Sequence, residues 1–385
     1  MQKSTSRFYQ QCLRCVMDTS ALDIFFDKNG ICNYCTEFLR EKSHIIFKDS
    51  KKKEEKLKYF VKKIKEEGKE KKYDCIVGVS GGVDSSWTLA KVKELGLRPL
   101  AVHMDNGWNS ELAQNNIANL VQNLQVDLYT HVINWNEYRE LMQAFFDADV
   151  IDVELLYDNA MLAVNYQQAN KYGVKYILSG SNSSTEGMRM PKEWNWMKYD
   201  KKNITEIARR KGITSLKTFP SISTIQYIYY FIFKGIKWIQ FLDYLSYNKS
   251  LALNDLEKNF GFKRYQYKHY ESIFTRFYQG YILTKKFKVD KRKLHLSTLV
   301  ASGQMSREEA CNELDRIPYN SQQEMDNDIV YFLKKMKWTK VELEDYLNRP
   351  GISHSVYSTE KPLNDFLKKI YKMIVISKNF LILKK

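Results

Sequence analysis

The stretch YDCIVGVSGGVDSS, residues 73–86, decides the architecture. Tyr73–Val79 is a short apolar run of strand composition, and Asp84–Leu95 is rich in helix formers. A strand therefore passes through two glycines straight into a helix. Outward from it, residues 97–104 (LRPLAVHM), 126–133 (VDLYTHVI) and 174–179 (VKYILS) read as further strands. Helix-like segments fill the gaps at 84–95, 111–125, 137–148 and 153–172. Strand and helix alternating at this spacing predict an α/β fold, a parallel sheet with helices on both faces. Ligands of such sheets sit at the carboxyl ends of the strands.

The glycine loop itself is Ser80-Gly81-Gly82-Val83-Asp84-Ser85-Ser86. Gly81 and Gly82 let backbone approach a phosphate closely, and the amides of the new helix point at it. Ser80, Ser85 and Ser86 add hydroxyls, and Asp84 is placed to hold a Mg²⁺ bridging phosphates. No Lys follows, so this is neither GxxxxGK[ST] nor GxGxxG. It matches the loop of enzymes that cleave ATP between the α and β phosphates. Asp105, at the end of the second strand, is a ligand for adenine or ribose, or a turn residue. The fourth strand ends in the polar loop SGSNSSTEG, residues 179–187, where Glu186 is placed to meet the acceptor or a metal. Cleavage to AMP and pyrophosphate also needs cations. Arg276, Lys285 and Lys286 are the expected source, with His269 and Glu271 as general base and its orienting partner.

Cys12-x2-Cys15 and Cys32-x2-Cys35 have four-thiolate zinc spacing. Four ligands close the tetrahedron, so the metal is structural; an iron–sulfur cluster is the alternative. The chain has 385 residues, 44% hydrophobic and 14% aromatic, with a net charge of +16. That composition excludes a disordered chain, and six cysteines are too few for a disulfide scaffold. The first residues lack a secretory pattern, and the most apolar stretch, 222–247, is interrupted by Lys234, Gly235 and Lys237. A cytoplasmic protein without a spanning helix is expected, and the positive charge calls for an anionic partner. Five regions follow: a four-cysteine zinc module (1–47), a charged helical linker (48–72), the ATP pyrophosphatase domain (73–220), a helical, basic region completing the site (221–305), and a small helical region (306–385). Residues beyond about 190 are expected to be helical with no further strand. The 222–247 segment is read as a helix on the sheet, on a partner, or on a membrane surface.

Together the cysteine pairs, SGGVDSS, SGSNSSTEG and KHYESIFTRFYQGYILTKKF (268–287) resemble the N-acetyl sugar amidotransferase family of bacterial surface-polysaccharide and flagellar-glycan biosynthesis. The resemblance covers about Cys12 to Arg307. It implies ATP, Mg²⁺ and structural Zn²⁺, and a nucleotide-linked N-acetamido sugar whose acetyl group becomes an acetamidino group. It also implies ammonia from a glutaminase subunit, with a cyclase-like subunit similar to that of imidazole glycerol phosphate synthase. This chain shows no glutaminase nucleophile of its own. A tRNA thiolation enzyme of the same loop class is the alternative, although no catalytic cysteine pair lies in the sheet domain. Nucleic acid is accordingly not the expected partner.

Overall fold

The computed structural model of the chain describes residues 8–265 and 270–382. Helices α1 (Asn33–Ile46) and α2 (Ser50–Gly68) lead into β1 (Cys75–Gly78), α3 (Val83–Glu94), β2 (Pro99–Asp105), α4 (Glu111–Leu124) and β3 (Asp127–Val132). There follow α5 (Trp135–Asp147), α6 (Leu155–Lys171), β4 (Tyr176–Ser179), α7 (Ser183–Glu186), α8 (Lys201–Arg210), α9 (Thr224–Ile228) and β5 (Lys237–Gln240). The remainder is helical: α10 (Lys249–Phe260), α11 (Ile273–Phe277), α12 (Leu283–Lys286), α13 (Arg292–Ala301), α14 (Arg307–Leu314), α15 (Gln322–Met336), α16 (Lys340–Asn348) and α17 (Lys361–Ile382). A π-helical turn continues α9 over Tyr229–Phe233, and another joins α11 to α12.

All five strands are parallel, in the order β3-β2-β1-β4-β5. The period of two along a strand sorts side chains between the faces. Ile76, Leu100, Val102 and Ile177 join the core that contains α5 and α6. Cys75, Val77, Ala101, Tyr176 and Leu178 face the opposite core, with Leu57, Phe60, Val61 and Ile64 of α2 and with α3 and α4. The charged helix before the sheet is thus packed on it; Phe60 meets Tyr176 edge-on and stacks on Tyr244. Between β1 and β4 the strand order reverses, and at such a crevice the loops beyond the carboxyl ends diverge to make room for a ligand.

One expectation fails here. The 222–247 segment is not a single helix, and β5 is a strand beyond residue 190. Gly235, at φ +66, ends the helical run. The segment Lys237–Gln240 that follows, with Trp238 and Ile239 at its centre, pairs with β4 in register Tyr176↔Lys237 to Ser179↔Gln240. The run of Tyr, Phe and Ile before Gly235 has helical spacing and hides the short strand behind it.

Candidate active site

The loop after β1 is built to leave helix amides open. Gly82 is the N-cap of α3 and makes no side-chain cap, so the first-turn amides face the crevice. Ser80 and Ser85 tie the loop internally: the Ser80 amide donates to Ser85 Oγ at 3.2 Å, and Ser85 Oγ donates to the Gly82 carbonyl at 3.2 Å. Gly81 adopts φ +84, and a Cβ there would lie 2.8 Å from the Ala113 carbonyl oxygen. Gly180, after β4, is pressed harder still: its Cβ would lie 2.6 Å from the Ser85 nitrogen and 2.7 Å from the Asp84 carbonyl carbon. The two glycine loops are therefore in backbone contact across the crevice.

They open into a cavity of about 1480 Å³, lined by Ser80, Gly82, Asp84, Ser85, Gly180 and Glu186, among others. That exceeds the roughly 300–1,000 Å³ of a site for one small ligand, so two substrates fit side by side. Asp84 accepts a hydrogen bond from the Tyr247 hydroxyl. Burial and the Asp84 charge push that phenol well above its usual range. Glu271 also reaches the loop: a Cβ on Gly82 would be 3.4 Å from Glu271 Oε1. Asn165 of α6 lines the cavity beside Gly78, and its buried Oδ1 has no hydrogen-bond partner. An unmet acceptor inside a phosphate-binding crevice suits a nucleotide base or sugar donor. The open amides, the carboxylate of Asp84 and the cavity volume together fit Mg-ATP.

The far wall holds a charged constellation that the sequence reading missed. Lys198 bridges Asp152 at 2.6 Å and Asp158 at 2.9 Å. Lys291 reaches Glu154 at 2.8 Å, and Gln279 donates to both oxygens of that carboxylate at 3.0 Å. Burial raises Asp158 above the usual carboxylate range against the pull of Lys198. Burial also opposes ionisation of Asp152, but Lys198 and Lys291 overcome it and hold that carboxyl low. The signal in the sequence was Asp152-x-Glu154-x3-Asp158, which puts Glu154 and Asp158 on one face of the first turn of a buried helix. Its cationic partners are 40 to 137 residues away, which no local pattern reports.

The four-cysteine module buttresses the same crevice. The sulfurs of Cys12, Cys15, Cys32 and Cys35 are buried within 4.8 Å of one another, with Cys12–Cys35 at 4.0 Å and Cys15–Cys32 at 3.7 Å. A Zn–S tetrahedron with bonds of about 2.3 Å needs S···S separations of about 3.8 Å. Amides of Arg14, Cys15 and Cys32 point at Cys12 Sγ, at 3.2–3.5 Å, which stabilises a thiolate there. The four residues fit a structural zinc. The module is fastened by Arg189 to Asp23 and Glu37, by Lys293 to Asp18, and by Arg307 to the carbonyls of Cys12 and Cys15. Gly187, just past Glu186, lies so close to Phe38 of α1 that a Cβ would be 2.9 Å from its ring.

The expected site residues divide. Ser80, Gly82, Asp84, Ser85, Glu186 and Glu271 are brought together around the cavity, with Gly81 shaping the loop. His269 lies outside the described residues. Ser86 is fully buried and its Oγ has no partner, so it faces the core of the fold instead of a phosphate. Asp105 serves the turn: its Oδ1 accepts from the Gly107 amide at 2.8 Å and from Asn109 Nδ2 at 3.1 Å. Arg276 borders the cavity but is held by Asp328 at 2.6 Å and Glu324 at 3.0 Å. Lys286 does not line the cavity; it pairs with Asp149 at 3.0 Å and donates to the Tyr346 and Arg349 carbonyls. Neither is placed to neutralise pyrophosphate, because each answers a buried carboxylate first. Lys249, the first residue of α10, and Arg264, four residues beyond its end, also line the cavity, Arg264 paired with Glu257 of that helix.

Residues 53–218 match the family model of NAD synthase, and residues 271–372 match the model described as LPS biosynthesis protein WbpG-like, C-terminal domain. The second match carries the likeness well past Arg307, where the sequence motifs end. No curated protein matches the chain. Among solved structures it is similar to NMN synthetase from Francisella tularensis, at 12% identity over 58% of this chain and 99% of that one, TM-score 0.29. It is also similar to NH3-dependent NAD synthetase from Campylobacter jejuni, at 16% identity over 67% of this chain and 97% of that one, TM-score 0.28. The two family matches support the resemblance to the N-acetyl sugar amidotransferases and describe an ATP-utilising enzyme of ligase or synthetase type with a role in lipopolysaccharide biosynthesis.

Proposed function

We propose that the chain converts the acetamido group of an N-acetyl sugar, carried on a nucleotide, into an acetamidino group. The observation that supports this most is one cavity shared by the glycine loop and a walled-off carboxylate–lysine constellation, with room for ATP and a second substrate. An amide carbonyl is a poor electrophile, and its oxygen is a poor leaving group. In the proposed sequence that oxygen attacks the α-phosphorus of ATP, the bond to the β-phosphate oxygen breaks, and pyrophosphate leaves. Ammonia then adds to the imidate carbon and AMP departs with the original oxygen, leaving the amidine.

The residues divide this labour between them. The α3 amides and Lys249 hold the polyphosphate and take up the charge that develops on pyrophosphate. Asp84, oriented by Tyr247, would hold Mg²⁺, whose chemistry is to bridge and neutralise phosphate oxygens. Glu186 and Glu271, which both line the cavity, are the candidate bases for the reacting centre. Asp158, which burial raises above the usual carboxylate range, lines the far wall beside Lys198 as a further candidate for proton transfer. Ammonia is supplied by a separate glutaminase with a cyclase-like channel subunit.

The test offers UDP- and CMP-linked N-acetamido sugars, and bulk tRNA, to the protein with Mg-ATP and ammonium. A sugar product lighter by one mass unit, O replaced by NH, together with pyrophosphate, is the expected result. Pyrophosphate release that depends on tRNA and not on any sugar would replace this reading with RNA modification.

A further inference from the structure

The helical run of α9 and its π turn carries an apolar surface that nothing among the described residues covers. Ile225, Ile232 and Phe233 are 67%, 63% and 77% exposed, and Tyr229 is 44% exposed. Their spacing, i, i+4, i+7 and i+8, gathers them on one side of the run. Beneath them Tyr227 and Tyr230 pack on Tyr166, so the segment is anchored while its outer side chains protrude. From Lys211 to Leu242 the sequence contains no Asp or Glu. Lys234 and Lys237 are exposed at the end of the run, with the Lys234 ammonium 5.5 Å from the Tyr229 ring. The neighbouring start of α17 repeats the theme. The Thr224 amide donates to Glu360 at 2.6 Å, and α17 exposes Leu363, Phe366, Lys368 and Lys369, with Asp365 as its acid there.

We infer that this face docks onto an anionic lipid surface. The side chains of the patch stand exposed to solvent; a protein partner would need a pocket matching them, whereas the acyl–headgroup boundary accepts protruding Ile and Phe without one. Two exposed lysines at the end of the run, no acid within 32 residues of chain, and a net charge of +16 are complementary to phosphate headgroups. No helix among the described residues is long and apolar enough to cross a membrane, so the contact is peripheral. The run leads through Gly235 into the amino end of β5, whereas the cavity lies at the carboxyl ends of the strands. Docking there leaves the cavity mouth open to a substrate arriving from solution.

The experiment is co-sedimentation of the full chain with vesicles of phosphatidylcholine alone or of equal parts phosphatidylcholine and phosphatidylglycerol. Wild type is expected to sediment with the mixed vesicles and to stay in the supernatant with phosphatidylcholine. The Ile232→Asp/Phe233→Asp variant should bind the mixed vesicles at least about tenfold more weakly, from the apolar area it withholds from the interface. Lys234→Glu/Lys237→Glu should lose about fivefold or more for each lysine. ATP cleavage by both variants should match wild type, which shows that they fold. Three results would overturn the inference. The first is wild type that is indifferent to the anionic vesicles, and the second is both variants binding as wild type does. The third is an Asp variant that converts a dimer to a monomer with vesicle binding unchanged, which would assign the face to a second copy of the chain.

Discussion

Gly180→Ala separates a catalytic role of the two-loop contact from mere fold stability. The backbone of Gly180 has no left-handed φ, so alanine meets no conformational penalty of its own. Its methyl group would meet the Ser85 nitrogen at 2.6 Å, the Asp84 carbonyl carbon at 2.7 Å and its oxygen at 2.9 Å. All three are main-chain atoms and cannot swing aside, so the start of α3 must retreat by on the order of 1 Å to restore ordinary contact. Overpacking of this kind costs about 1–3 kcal/mol of stability. A misplacement of about 1 Å in a phosphate cradle costs about 10²-fold in rate. The expected outcome is a fall in kcat/KM for ATP on the order of 100-fold, with only a few degrees lost from the melting temperature. The assay is pyrophosphate release from Mg-ATP beside thermal denaturation. Gly212→Ala is the control, since Gly212 has φ +83 but nothing within 4 Å of a new Cβ, and it should lose stability without losing turnover. Undiminished turnover of Gly180→Ala would refute the claim that the two glycine loops form one rigid cradle.

Other outcomes follow from the same geometry. Arg276→Met strands Asp328, and breaking such a buried pair costs about 3–5 kcal/mol; unfolding by denaturant should show that loss while KM for ATP stays near wild type. His354 is buried, and burial lowers its pKa to about 4, with Nε2 accepting the Asp152 amide and Nδ1 donating to Asn203. Its folded pKa lies below the unfolded value, so the stability it contributes is present above about pH 6.5 and is lost as pH falls toward 4. The expected loss is roughly 3 kcal/mol, read from denaturant midpoints across that range and much reduced in His354→Gln. Cys15→Ser should bind less than one zinc per chain by elemental analysis. Because the module fastens the loop carrying Glu186, turnover should fall along with stability; full zinc content in the variant would contradict the four-sulfur site.

How much of this could be read from sequence depended on how local each signal was. The glycine loop and the cysteine pairs are short motifs whose geometry is set within a few residues, and the four strands around the loop announce themselves by short apolar runs between helices. β5 was hidden because Tyr229–Phe233 has the spacing of a helix, and only Gly235 marks where that spacing stops. Arg276 and Lys286 looked like substrate cations because a basic run shows its charge but not its partners. Asp328 and Asp149 lie 52 and 137 positions away and claim them. The constellation of Glu154, Asp158, Lys198 and Lys291 failed to appear for the same reason, being assembled by the packing of α6 against segments distant in sequence. Asp105 stayed open between two roles because a strand-end aspartate serves a turn as readily as a ligand, and the structure shows it accepting from the Gly107 amide.

The identity of the nucleotide products tests the proposed chemistry most directly. ATP labelled in the α-phosphate is given with ammonium and the acceptor panel, to wild type and to Asp84→Ala, and the products are separated. Cleavage at the α-phosphorus predicts labelled AMP with an equal amount of pyrophosphate from wild type and neither from the variant. Labelled ADP with inorganic phosphate would contradict it, because cleavage would then lie between the β and γ phosphates.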